Sequence, residues 1–72
     1  MHFENIIQQV KKRRSALRVT QELLADISGV SLRTIKQFES GKGNPTLDTL
    51  MKLSDALGLE ICLQVKTKPI DL

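Results

Sequence analysis

The sequence predicts a mainly α fold: a compact domain of four to five short helices, closed by one short C-terminal β-strand paired across a dimer. Three observations predict it. Apolar residues recur at helical spacing from Phe3 to Leu57. Hydroxyl side chains and glycines stand where those helices would begin and end. After Gly58 the apolar period changes to two. A chain of 72 residues has room for one domain, and 40% hydrophobic residues are enough for a small core.

Phe3, Ile6, Ile7, Val10 and Leu17 share one stripe and predict a first helix over Glu4 to Ala16. Arg14 falls on the same stripe, so it needs either a partner or a route for its stem to water. Thr20 can cap a second helix, with Glu22 at its positive end and Leu23, Leu24 and Ile27 facing inward. Gly29 ends it, because only glycine takes a positive φ there without strain. Ser31 caps a third helix whose inward face is Leu32, Ile35 and Phe38, ending at Gly41. Lys42 to Pro45 is turn material. Thr46 caps the next helix, which carries Leu47, Leu50, Leu53 or Ser54, and Leu57, and stops at Gly58.

In LEICLQVK, Leu59, Ile61, Leu63 and Val65 alternate with Glu60, Cys62, Gln64 and Lys66. That is the pattern of a half-buried strand. A lone strand cannot satisfy its edges, and no partner strand is evident within the chain. The same strand of a second copy, antiparallel across a two-fold axis, is the economical solution. The alternative is an irregular tail packed on the helices. Residues 67–72 read as a flexible tail.

Charge placement says more than the net charge of +3: Lys11 to Arg18 holds five positive charges and no negative one. Such a cluster can hold a polyanion, or simply suit a helix C-terminus. Enzyme chemistry is not indicated. His2 and Cys62 each stand alone, and Asp26, Asp48 and Asp55 show no shared catalytic spacing. No metal-ligand set, cofactor loop or membrane-length apolar run is present, and the expected location is the cytoplasm.

Two short helices joined by a tight glycine turn form a helix-turn-helix. The second of them fits a DNA major groove and would present Arg33, Thr34, Lys36 and Gln37 on one arc. Arginine and lysine match guanine O6 and N7, glutamine matches adenine N6 and N7, and a threonine methyl can meet a thymine methyl. The plain alternative is that surface helices carry such residues anyway.

At this point a family pattern is complete. TQ-x-x-LA at Thr20, Gln21, Leu24 and Ala25, GVS at 29–31, TI at 34–35, FE-x-G at 38–41, NP at 44–45 and the ALG ending at Gly58 occur in order. Residues 4–58 resemble the helix-turn-helix domain of the lambda-repressor/Cro (XRE) superfamily. The resemblance implies a DNA-binding domain over residues 1–58 and a dimerisation strand over 59–66. It implies base reading by Leu32, Arg33, Thr34, Lys36 and Gln37, and phosphate contacts from Gln21, Ser31, Lys42, Gly43 and Asn44. It implies an ion pair between Arg14 and Glu39, which would explain an arginine on an apolar stripe. The tail is similar to that of HipB-type antitoxins, implying autorepression and a HipA-type kinase toxin as partner. A stand-alone phage or plasmid Cro-like regulator shares the layout, as would a protein-interaction module that had lost DNA. A dimeric reader implies a palindromic double-stranded operator, with recognition helices about 34–36 Å apart.

Overall fold

Three hydroxyls start three of the four helices found among the described residues. The computed structural model describes residues 3–66, so His2 and the tail assigned to 67–72 lie outside the described residues. The helices are α1 (Glu4–Ala16), α2 (Gln21–Ser28), α3 (Leu32–Glu39) and α4 (Leu47–Ala56). Thr20, Ser31 and Thr46 are extended at the N-caps of α2, α3 and α4. Their hydroxyls accept from the backbone N–H of Leu23, Thr34 and Thr49. Each bond satisfies a donor that the first helical turn leaves unpaired. Thr46→Ala is expected to lower stability by about 1 kcal/mol, read as a lower urea midpoint with an unchanged denaturant slope.

The helix ends are equally local in origin. Gly29 closes α2 at φ 76°, and its N–H donates to the Ala25 carbonyl. The end of α1 uses the same conformation without glycine. Arg18 sits at φ 56°, its N–H donates to Ser15 O, and Val19 N–H donates to Arg14 O. This is the paired-bond C-terminal motif, held here despite the steric cost of a Cβ in the left-handed region.

The core is one cluster. Leu24, Ile35, Leu53 and Leu57 are fully buried at its centre, with Ile7, Val10, Val30 and Phe38 around them. Full burial of a side chain of this size is favourable by about 1.5–3 kcal/mol. Five residues expected to face inward lie outside it: Leu17 is 43%, Leu23 45%, Ile27 52% and Leu47 65% exposed, and Leu32 is only half-buried. In α2 the inner face is turned by one residue. Both α3 and α4 pack against α2, and of its three leucine and isoleucine side chains Leu24 is the one fully buried, while Leu23 and Ile27 face outward. Val30, a turn residue by sequence, is buried in the core cluster instead.

Among the described residues there is no fifth helix and no β-ladder. Residues 59–66, expected as a strand, have no regular secondary structure in the single chain. A strand requires a hydrogen-bonded neighbour, and every other element among the described residues is helical. Leu59 alone of the alternating set packs against the core. No helix among the described residues is long and apolar enough to cross a membrane.

Candidate nucleic-acid interface

The helix α3 is divided lengthwise. Ile35, Phe38 and Glu39 are buried, Arg33, Lys36 and Gln37 are exposed, and Leu32 and Thr34 are half-buried. Leu32 therefore contributes to both faces and is not part of the buried core. Ser31 does two things at the start of the helix. Its oxygen accepts from Thr34 N–H at 3.2 Å, and its own hydroxyl donates to Thr34 Oγ1 at 2.8 Å. The Thr34 side chain is thereby fixed, with its methyl and one O–H still available.

The buried acid of α3 is fully hydrogen-bonded. Arg14 Nε donates to Glu39 Oε2 at 2.7 Å and Arg14 Nη2 donates to Glu39 Oε1 at 2.9 Å. Gln21 Nε2 adds a third bond to Glu39 Oε1 at 3.1 Å. Arg14 Nη1 donates to the Val19 carbonyl at 2.9 Å. The group joins α1, the α1–α2 turn, α2 and α3 in one network. Two parallel N–H···O bonds fix both distance and angle, which a lysine could not do. Hydrogen bonding to Glu39 holds Arg14 above its ordinary range, against burial, with the charges of Glu39 and Glu22 adding to the effect. Gln21, expected at phosphate, has one amide N–H committed to this network and one left for another acceptor.

The loop after α3 is folded back onto the helix. Gln37 O accepts from Lys42 N–H at 3.1 Å and from the Ser40 hydroxyl at 2.9 Å. Thr34, Gln37, Lys42, Gly43 and Asn44 then line a common hollow of about 70 Å³. The structure so brings two of the expected base-reading side chains beside all three loop residues expected at phosphate. Gln21 lies elsewhere, at the Arg14–Glu39 pair.

The basic run Lys11 to Arg18 is less free than its sequence suggests. Arg14 is engaged with Glu39. Arg13 Nε donates to the Leu57 carbonyl at 2.8 Å, where a cation suits the negative end of α4. Lys11, Lys12 and Arg18 remain. The bond of Arg13 crosses 44 residues of sequence, so no local pattern could have announced it. Among the described residues no group of histidine, cysteine or carboxylate side chains is placed to hold a metal ion.

A helix-turn-helix family model matches residues 10–63. The chain is 41% identical over 56 residues to the cryptic phage CTXphi transcriptional repressor RstR of Vibrio cholerae, covering 78% of this chain and 50% of that protein. It is 36% identical over 52 residues to YonR of Bacillus subtilis, an SPbeta prophage-derived uncharacterized HTH-type transcriptional regulator, covering 72% of this chain and 48% of that one. An uncharacterized HTH-type transcriptional regulator of Haemophilus influenzae is 38% identical over 53 residues, or 74% of this chain and 54% of its own. The chain thus spans about half the length of these relatives. With capped helices, a split α3 and a match over most of its length, the chain belongs to the helix-turn-helix superfamily of Cro-like, non-catalytic transcription regulators.

Proposed function

We infer that this protein is a sequence-specific repressor that binds a palindromic double-stranded operator as a homodimer, with α3 in the major groove. The observation that carries the reading is the division of α3. Its apolar side is locked into the core, while Arg33, Lys36 and Gln37 stand exposed, and Thr34 and Gln37 share a hollow with the Lys42–Asn44 loop. The exposed arc supplies donors for base edges, and the loop supplies one charge and backbone N–H groups for the flanking phosphates. Leu32 and Thr34 add apolar contact for a thymine methyl. Gln21 and Ser31, near the first turns of α2 and α3, complete the phosphate contacts. Repression then requires no chemistry, since a dimer on a promoter blocks it. A DNA target places this work in the cytoplasm.

Two of the named relatives are described as phage or prophage proteins. That supports a stand-alone phage-type regulator ahead of an antitoxin paired with a HipA-type kinase. The dimer is assigned to residues 59–66, supported by the strict alternation of Leu59, Ile61, Leu63 and Val65 and by the exposure of the last two.

Arg33→Ala and Lys42→Ala separate the two kinds of contact. Arg33→Ala is expected to cost about 1–3 kcal/mol at the base pair it reads and to relax preference there. Lys42→Ala is expected to weaken binding to all sequences and to reduce the salt slope by about 1. The check is binding to an operator library at several salt concentrations. Equal salt slopes with unchanged sequence preference in both variants would overturn the assignment.

A further inference from the structure

We propose that the C-terminal segments of two copies pair antiparallel with Leu63 on the two-fold axis, so that Glu60 of each copy faces Lys66 of the other. The proposal rests on the strand-paired dimer inferred above and adds its register and its packing surface.

In an antiparallel pair, residues directly opposite each other lie on the same face of the ribbon. Leu59 is held on the core, so the apolar residues left to pair are 61, 63 and 65. They can oppose one another only if the axis passes through a residue, and all three do so only with the axis through Leu63. An axis between two residues would set each apolar side chain against a polar one. Three central residues of the segment, 62, 63 and 64, remain as candidates. Centring on Leu63 sets Ile61 against Val65, Cys62 against Gln64 and Glu60 against Lys66. Two opposite-charge pairs then close the two ends of a seven-residue ribbon. Centring on Cys62 instead sets Glu60 against the neutral Gln64 and leaves Lys66 beyond the apolar ladder.

The body of the domain supplies the surface such a ribbon needs. A two-stranded ribbon is marginal unless one face is covered. Leu47 and Met51, one turn apart on α4, are 65% and 49% exposed. With Asp55 and the segment Glu60 to Leu63 they line an open hollow of about 530 Å³. Leu63 itself is 98% and Val65 86% exposed in the single chain. Residues 60–63 thus lie along the exposed Leu47–Met51 edge of α4, which a single copy leaves open. The second copy brings an identical ribbon half and an identical α4 face, and its charges match end to end. This also accounts for Leu47, which lies outside the core of the single domain.

Single-cysteine versions of the full chain test the register. The native chain carries Cys62; Cys62→Ser combined with Leu63→Cys or with Gln64→Cys moves the thiol by one or two positions. Only a residue on the axis meets its own copy at the Cα separation a disulfide accepts. Under mild oxidation the Leu63→Cys chain is expected to cross-link about tenfold faster than the other two. Because Leu63→Cys also removes apolar surface, a charge exchange provides a second reading. Glu60→Lys should weaken dimerisation about tenfold, through two like-charge pairs, and Glu60→Lys with Lys66→Glu should restore it. Fastest cross-linking at Cys62 or at position 64, or no restoration by the exchange, would overturn the register while leaving a strand-paired dimer. Sedimentation showing a monomer, or a dimer that none of the thiols cross-links, would overturn the strand pairing itself.

Discussion

Arg14→Ala is expected to destabilise the domain by about 3 kcal/mol, the lower end of the range for breaking a buried ion pair. The lower end applies because the Arg14 side chain is 17% exposed, while that of Glu39 is only 5% exposed. The loss is not the value of the pair itself. It arises because Glu39 stays buried with a single remaining donor, the amide of Gln21. A chain of this length has about 4–11 kcal/mol of stability in all, so the variant should unfold at a much lower urea concentration. Glu39→Ala should cost less, since Arg14 can swing its head to water and still bond the Val19 carbonyl. Arg14→Lys should recover little, because an ammonium cannot make the two parallel bonds. Acidity offers a further check. Arg14 is held above its ordinary range, so the stability it confers is complete below that range and is lost only as pH climbs past it. No change in stability through Arg14 is therefore expected between about pH 5 and 9. Urea titrations of the three variants followed by helical circular dichroism give the comparison. A loss below about 1 kcal/mol for Arg14→Ala would show that the network is a surface pair of little weight.

The same network shows how far sequence carries the reading. Arg14 is conspicuous in sequence because a charge interrupts an apolar stripe. Its partner Glu39 lies 25 residues away and follows from family resemblance, not from any period. The helix starts at Thr20, Ser31 and Thr46 are legible because a cap is a bond between near neighbours. The rotation of α2 is not legible. Leu23, Leu24 and Ile27 are equally apolar, and only the positions of α3 and α4 select Leu24 as the buried one. For the same reason Val30 reads as a linker, although it is buried. The left-handed Arg18 carries no glycine to mark it, and Arg13 reaches the end of α4 across the fold. At the site, the exposed arc of α3 follows from its helical period. The hollow shared by Gln37 and Lys42 does not, because it depends on the loop folding back onto the Gln37 carbonyl.

Removing everything after Leu59 should lower operator affinity by roughly 10²–10⁴-fold, the gain that linking two half-site readers provides. The cut is placed after Leu59 for a physical reason. Leu59 N–H donates to Ser54 O at 2.8 Å and its side chain packs on the core, so the end of α4 keeps its closing bond. All four helices and the Arg14–Glu39 network lie upstream, so the fragment should retain its helical content. What it loses is the tie between two copies. A single α3 reads only a few base pairs, and its phosphate contacts are half those of the pair, so the salt slope should fall to about half. Protection of the operator should change in kind as well. The full chain is expected to cover two half-sites about 34–36 Å apart on one side of the duplex, whereas the fragment should occupy either half-site independently. Sedimentation of the fragment, with operator binding at two salt concentrations, decides the matter. A fragment that remains dimeric and binds like the full chain would move the dimer contact to the helices, with Leu23 and Ile27 on the outer edge of α2 as the first surface to test.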